Sequence, residues 1–309
     1  MRDSRGFQAQ FWSSGCVGIA CKLRAHASPG RIAATVLQRR TIVEVPVITD
    51  ELVATYQQDG VVVLRGVFRD WVERLAQGIA EVRAQPSEFE RSVHPKDCTA
   101  SFFQDYCNWP RIPAFRAFVF ESPAGEAAAR LRGSNESRFF HEHVLVKDAG
   151  NSTVTPWHHD EPYYCVQANQ SVSFWIPLDP VAREVALECV AGSHRWSESG
   201  FRPMRFDGTA LYAQDDLPAM PDIETLRDRL VIRAWDMLPG DAVAFHFRTV
   251  HGAPANRSTT ARRVFSARWM GADARFIRRK GRTSPPFPGI DLEDGAPLDV
   301  PEFPLVYRA

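Results

Sequence analysis

The chain has 309 residues, of which 44% are hydrophobic and 11% aromatic, and its 37 basic and 37 acidic residues leave a formal net charge of zero. This length and composition predict one large domain or two small ones with a substantial core. The balanced charge provides no overall field that would recruit nucleic acid or an anionic membrane. The sequence also contains no apolar run of about 18 residues, so we expect no membrane span.

The six cysteines include no Cys-X-X-Cys pair, which argues against a structural zinc site and favours a reducing compartment, hence a cytoplasmic protein. The first 43 residues carry seven Lys or Arg and a single acidic residue, Asp3. We interpret residues 1–45 as a basic extension that is disordered or that follows a start codon placed too far upstream. A mitochondrial transit segment is the alternative, and it would change the predicted location.

Helices are predicted in the first half of the remaining chain. A short one covers residues 49–56, and Asp70 is placed to cap a second. The apolar face of this second helix comprises Trp71, Leu75, Ile79 and Val82. A further, alanine-rich helix begins after Ser122 and ends at Gly133. Residues 84–113 contain four prolines among scattered aromatic residues, and we expect them to form an irregular covering segment.

From residue 138 the sequence changes to short apolar or alternating runs separated by Gly and Pro turns. The predicted strands are residues 138–147, 155–160, 171–177, 186–190, 230–234, 242–247 and 262–270. Helices followed by about seven strands indicate an α+β chain whose core is a double-stranded β-helix, or jelly roll. Residues 197–222 have the composition of a long excursion and are expected to form a lid over its mouth.

The sequence Trp157-His158-His159-Asp160 carries the first candidate metal ligands. On a β-strand, side chains two residues apart project from the same face, so His158 and Asp160 would point together. His251, which follows an alternating apolar run, would complete a set of two histidines and one carboxylate. Such a facial triad leaves adjacent positions of an octahedral Fe(II) open. His159 would point to the opposite face, and we interpret it as a packing or hydrogen-bonding residue.

Arg262 lies eleven residues beyond His251 and is a candidate partner for a carboxylate beside this metal. A guanidinium is permanently charged and can bind a carboxylate through two parallel hydrogen bonds. Alternation places Arg262 and Arg263 on opposite faces of their predicted strand, and the face of Arg263 is the more apolar one. Periodicity alone does not decide which of the two arginines enters the core of the fold.

With these residues in place, the chain resembles the phytanoyl-CoA dioxygenase family of iron- and 2-oxoglutarate-dependent oxygenases. The resemblance covers roughly residues 48–307. The blocks that carry it are Asp59–Phe68, Val144–Lys147, Trp157–Asp160, Val172–Asp179, Leu187–His194, Pro239–Asp241, His251–Gly252, Asn256 and Arg262–Arg263.

The resemblance implies that residues 46–309 form an oxygenase domain that binds Fe(II), 2-oxoglutarate and O2. It assigns the carboxylate of 2-oxoglutarate to Arg262, and places His143 and Trp175 in the co-substrate pocket. At the position of His143, relatives more often have an amide side chain. The metal ligands that it implies are His158, Asp160 and His251.

The resemblance also bears on the reaction. Asp160 retains the carboxylate that related halogenases replace with a small residue, which favours hydroxylation of a C–H bond of a small-molecule substrate with release of succinate and CO2. A non-redox jelly-roll enzyme with Zn2+ or Mn2+, acting as a hydrolase or isomerase, is one alternative. A non-catalytic binding protein of the same fold is the other. No concentrated basic run adjoins the motifs as a CoA phosphate site would require.

Overall fold

The computed structural model describes residues 48–96, 99–205, 208–212 and 216–309. The basic extension predicted for residues 1–45 lies outside this part of the chain. Within the described residues there are four α-helices: α1 (Asp50–Asp59), α2 (Val72–Ala84), α3 (Pro113–Glu121) and α4 (Ala124–Arg132). None of these helices has the length and hydropathy that crossing a bilayer requires.

The rest of the described chain is organised by short antiparallel strands. In chain order they are β1 (Val61–Leu64), β2 (Phe102–Tyr106), β3 (Glu136–Lys147), β4 (Thr155–His158), β5 (Val166–Gln167), β6 (Ser171–Pro177), β7 (Glu188–Val190), β8 (Ile232–Arg233), β9 (Ala242–Phe245), β10 (His251–Ala253), β11 (Arg262–Met270), β12 (Arg275–Phe276) and β13 (Leu305–Arg308).

These strands form two principal sheets. The larger sheet has the order β1-β9-β6-β11-β3-β13, and β2 also pairs with β3. The smaller sheet has the order β4-β10-β7-β8, and β5 pairs separately with β12. This antiparallel arrangement, with helices added at the N-terminal side of the chain, confirms the predicted α+β jelly roll.

The main hydrophobic core lies between the helices and one face of the larger sheet. On β11, Phe265 and Trp269 are fully buried and belong to this core. The ring of Phe265 lies 5.1 Å from that of Phe118 in α3, in an edge-to-face arrangement that is favourable for aromatic pairs. Burial of each such side chain contributes about 1.5–3 kcal/mol. The helices therefore fix the position of β11, which also borders the candidate site described below.

Two predictions about the N-terminal half were wrong. Residues 84–113 are not irregular throughout, because β2 forms there and pairs with β3, with Phe102 opposite Lys147. Its partner is distant in sequence, so local pattern gave no signal for it. Asp70 does not cap α2; it lies in a single 3-10 turn that precedes the helix, and no side-chain cap is present there. Thr49 does cap α1, accepting a hydrogen bond from the backbone N–H of Leu52.

Candidate active site

A cavity of about 490 Å³ is lined by strands of both sheets. Alternate residues of β3 and β11 border it, as expected where one face of a pleated strand is turned to the cavity. From β3 these are His143, Leu145 and Lys147, and from β11 they are Arg262, Val264, Ser266 and Arg268.

The segment predicted to form a lid does border this cavity. Met204 and Met220 are among its lining residues. Two tyrosines attach the segment to the turn after β4. The hydroxyl of Tyr163 donates to the carbonyl of Met204 at 2.8 Å, and the hydroxyl of Tyr212 donates to the carbonyl of Pro162 at 3.0 Å. Residues of the excursion therefore cover part of the cavity.

The three predicted metal ligands meet at one wall of this cavity. His158 on β4 and His251 on β10 are directly opposite each other in the strand pairing, and their ring centroids are 4.3 Å apart. Asp160 Oδ1 lies 3.9 Å from Nε2 of each histidine. One ligand atom from each residue lies within 4.8 Å of the others, which fits a shared metal ion.

Hydrogen bonds to the backbone set the orientation of both imidazoles. Nδ1 of His158 lies 2.7 Å from the carbonyl oxygen of Pro156, and Nδ1 of His251 lies 2.9 Å from that of Thr249. A carbonyl can only accept, so each Nδ1 carries the proton and each Nε2 presents its lone pair to the centre of the cluster. Burial, together with the neighbouring His158, lowers the pKa of His251 to about 3, so this ligand atom is unprotonated at neutral pH.

Asp160 reaches the cluster by a different route from the one predicted. β4 ends at His158, and Asp160 has a helical backbone conformation at the start of a 3-10 turn. Its N–H donates to the carbonyl of Phe247 at 2.8 Å, which fixes the turn against the chain that leads to β10. The strand assigned to residues 155–160 was therefore too long, although the two side chains still converge.

The charge of Asp160 is stabilised by a neighbouring cation. Burial alone would raise the pKa of this carboxyl, but the Arg268 guanidinium holds it well below its usual range. Asp160 is therefore a carboxylate at neutral pH. Two imidazoles and one carboxylate make up the donor set of a 2-His-1-carboxylate iron site, so the residues present fit Fe(II).

His159 lies outside this cluster. Its Nε2 accepts a hydrogen bond from the backbone N–H of Phe201 at 2.7 Å, and burial lowers its pKa to about 4. Its position matches the packing and hydrogen-bonding interpretation drawn from the sequence.

Arg262 and Arg263 are separated as alternation requires. Arg262 is buried, lines the cavity and donates a hydrogen bond to the carbonyl of Val185. Arg263 is half-buried on the other face, where its guanidinium pairs with Asp179 at 2.6 Å. Burial lowers the pKa of Arg262 to about 10, which leaves it charged at neutral pH. Of the two arginines, Arg262 is the one available to a ligand in the cavity.

The two other predicted pocket residues also border the cavity. The guanidinium of Arg262 lies 5.8 Å from the ring centroid of Trp175. The ring of His143 stacks on Tyr106 with centroids 3.9 Å apart, and its buried Nε2 has no hydrogen-bond partner among the described residues. Burial, with Arg268 adding to it, holds the pKa of His143 well below its usual range. This atom therefore has an unused hydrogen-bonding position in a side chain that lines the cavity.

Sequence reasoning missed two features of the lining. Arg268 had been assigned no role, yet its Nη2 lies 3.4 Å from Asp160 Oδ2. Because Arg268 lies on the same strand face as Arg262, the alternation along this strand could have predicted that it lines the cavity. Arginines from separate parts of the chain also meet at the cavity: Arg91, Arg202, Arg205 and Arg282. The sequence has no concentrated basic run beside the motifs, and these arginines reach the cavity from segments that are far apart in the chain.

Comparison with known proteins identifies the family. The sequence profile of the phytanoyl-CoA dioxygenase family matches residues 56–264. The chain belongs to this family. As a phytanoyl-CoA dioxygenase family member, it is an iron- and 2-oxoglutarate-dependent oxygenase, and the matched range includes the candidate ligands and Arg262.

Individual relatives are distant. The multifunctional dioxygenase prhA of Penicillium brasilianum is 25% identical over 233 residues, which are 69% of this chain and 69% of that protein. The alpha-ketoglutarate-dependent carbocyclase SnoK from nogalamycin biosynthesis is 26% identical, with 84% of this chain and 96% of that chain covered and a TM-score of 0.65. The epimerase SnoN from the same biosynthesis is 24% identical with the same coverage and a TM-score of 0.66. EctD from S. alaskensis is 18% identical over 80% of this chain and 83% of its own, with a TM-score of 0.60. The last two likenesses show a shared fold.

Proposed function

We propose that this protein is a dioxygenase that hydroxylates a C–H bond of a small organic substrate, using Fe(II), 2-oxoglutarate and O2. The observation that carries the proposal is the convergence of two Nε2 atoms and one carboxylate oxygen at the wall of a cavity that also contains the buried Arg262. His158, Asp160 and His251 are the proposed metal ligands.

The overall reaction balances without a further reductant. One oxygen atom of O2 enters the substrate C–H bond and the other enters succinate, while 2-oxoglutarate loses CO2. Bound iron with its co-substrates supplies the oxidising power for this chemistry, and the protein supplies position and protection from water.

Arg262 is the proposed partner for the distal carboxylate of 2-oxoglutarate. It is charged, buried and held by the carbonyl of Val185, so little order would be lost on binding. His143 and Trp175 border the same space and are proposed to contact the co-substrate, His143 through its unpartnered Nε2.

The charges around the cavity support a substrate that carries an anionic group. Arg91, Arg205 and Arg282 are exposed residues that line it, and Asp160 is the single acidic residue among the described lining residues. Aromatic and aliphatic side chains occupy much of the remaining lining. An apolar body with a carboxylate, phosphate or sulfate would match both properties.

The first experiment requires no knowledge of the substrate. Fe(II) under anaerobic conditions should raise the Tm of the protein, and 2-oxoglutarate should raise it further, because both bind the folded state. Slow succinate formation from 2-oxoglutarate should then require both iron and O2. Absence of any effect of 2-oxoglutarate on Tm and of any succinate would contradict the proposal and would favour a non-redox metal site.

Product mass separates hydroxylation from related outcomes. A hydroxylated product gains one oxygen atom. Epimerisation, the activity named for SnoN, leaves the mass unchanged, and carbocycle formation, the activity named for SnoK, removes two hydrogen atoms. Substrates found by stimulated succinate formation should therefore be analysed by mass spectrometry, with hydroxylation expected.

A further inference from the structure

Arg268 is a buried cation in the cavity for which the proposed reaction provides no role. It lies on β11, on the same face as Arg262, and is 5% exposed. Burial of a guanidinium is costly unless its charge and its N–H groups are satisfied. Its contacts therefore indicate what this residue does.

The two carboxylate oxygens of Asp160 have different partners. Oδ1 is the oxygen that faces both histidines, at 3.9 Å from each Nε2. Oδ2 lies 3.4 Å from Nη2 of Arg268 and accepts a hydrogen bond from the Ser173 hydroxyl at 3.5 Å. The carboxylate thus presents Oδ1 to the two histidines, and Oδ2 to Arg268 and Ser173.

The guanidinium that holds Oδ2 is itself fixed. Its Nε donates to the hydroxyl of Tyr164, and its Nη1 donates to the Ser266 hydroxyl at 3.2 Å and to the Ser266 carbonyl at 3.3 Å. The strand that carries it is paired on both sides, with β3 and with β6. Arg268 therefore cannot follow Asp160 if the carboxylate rotates.

We propose that Arg268 is a positioning residue that reserves Oδ1 of Asp160 for the metal and withholds Oδ2. A carboxylate can bind a cation through one oxygen or through both. Withholding Oδ2 limits Asp160 to one coordination position and keeps the neighbouring positions for a 2-oxo acid and O2. The inference rests on the proposed metal site.

The test compares coordination in protein saturated with Co(II), whose visible absorption reports the number and geometry of its ligands. The variants are Arg268→Met, Arg268→Lys and Tyr164→Phe. The last of these removes a hydroxyl that accepts a hydrogen bond from the guanidinium and also bonds the Asp160 carboxylate. Arg132→Met is the matched control, because Arg132 is also 5% exposed and is bonded to backbone carbonyls away from the cavity. Each protein is then titrated with 2-oxoglutarate and with pyruvate, which has the chelating 2-oxo acid but lacks the distal carboxylate.

For Arg268→Met we expect an altered Co(II) spectrum before any 2-oxo acid is added. Its affinities for pyruvate and 2-oxoglutarate should fall by a similar factor, roughly tenfold to a hundredfold as for other partners of metal ligands. Tyr164→Phe should change the spectrum in the same direction, and Arg268→Lys should recover part of the pyruvate affinity. Arg132→Met should lower only the Tm.

Two results would overturn the inference while leaving the proposed function intact. The first is a wild-type Co(II) spectrum and unchanged pyruvate affinity in both Arg268→Met and Tyr164→Phe. The second is a loss confined to 2-oxoglutarate, since this would make Arg268 a direct partner of the distal carboxylate. Failure of the wild-type protein to bind Co(II), or equal binding by His251→Ala, would instead contradict the metal site itself.

Discussion

Arg262 and Arg263 are consecutive residues of β11 whose guanidinium groups lie on opposite sides of the larger sheet. Arg262 lines the cavity, and Arg263 is paired with Asp179 on the other face. The two side chains share chemistry and chain position, so each is the natural control for the other.

Replacing Arg262 by Met should weaken binding of 2-oxoglutarate by roughly tenfold to a hundredfold, because a hydrogen bond to a charged group contributes about 1.5–3 kcal/mol. Calorimetric titration of the Mn(II)-loaded protein would measure this. Arg263→Met removes the ion pair with Asp179 and should bind 2-oxoglutarate normally. If Arg263→Met carries the loss instead, the assignment is wrong.

Asp160→Ala and Asp160→Asn should abolish the rise in Tm that Mn(II) causes and should abolish succinate formation, because the carboxylate is one of three donors. Asp241→Asn provides a control at another buried aspartate, which accepts the backbone N–H groups of Gly66 and Leu238. That variant should have a lower Tm and keep its response to the metal. Full activity in Asp160→Ala would contradict the assignment of Asp160 as a metal ligand.

The charge at the cavity can be probed without the natural substrate. Anilinonaphthalene sulfonate is an apolar anion, and N-phenylnaphthylamine is a related neutral molecule. In fluorescence titrations of the native protein, Arg282→Glu should weaken binding of the anion by roughly threefold to tenfold, since exposed charge pairs contribute up to about 1 kcal/mol each. Binding of the neutral probe should not change.

Arg229→Glu is the control for this measurement, because Arg229 is exposed and does not line the cavity. An equal loss of the anionic probe in Arg229→Glu would mean that overall charge, and not the cavity, determines the affinity.

His246 should make the protein sensitive to acid. Burial lowers its pKa to about 3 from an ordinary value of 6.5, and its Nδ1 accepts the backbone N–H of Arg248 at 3.0 Å. Below pH 6.5 the unfolded chain binds a proton that the folded protein does not. The free energy of unfolding should therefore fall as pH falls, by about 1.4 kcal/mol per pH unit for this group.

The variant His246→Asn keeps an acceptor near the Nδ1 position but cannot titrate. Denaturant unfolding at several values between pH 6.5 and 4 should give a shallower slope for this variant than for the wild type. The same slope in both proteins would assign the acid sensitivity to other groups.

The metal cluster could be predicted from the sequence because its chemistry depends on residue type and spacing. His158 and Asp160 are close in sequence, and His251 is followed at a fixed distance by Arg262. The prediction used a strand through Asp160, however, whereas the chain turns after His158. Two residues of separation bring the side chains together in either geometry.

Features formed by segments that are distant in sequence could not be predicted from local sequence patterns. Both faces of β11 are buried, one under the helices and the other at the cavity. The alternation of apolar and polar residues therefore could not show which face borders the cavity. The pairing of β2 with β3 and the grouping of Arg91, Arg205 and Arg282 depend on contacts between segments far apart in the chain. The cytoplasmic location expected from the sequence stays a prediction.

The direct opposition of His158 and His251 on β4 and β10 has a consequence for how the protein acquires iron. Backbone hydrogen bonds hold both strands and both imidazoles, and Asp160 is fixed by Phe247 and Arg268. The donors are thus arranged by the fold itself, unlike those of small domains that fold around their ion. We therefore expect a stable iron-free protein that exchanges metal reversibly through the partly exposed side of His158, so that its activity would rise and fall with the iron supply of its surroundings.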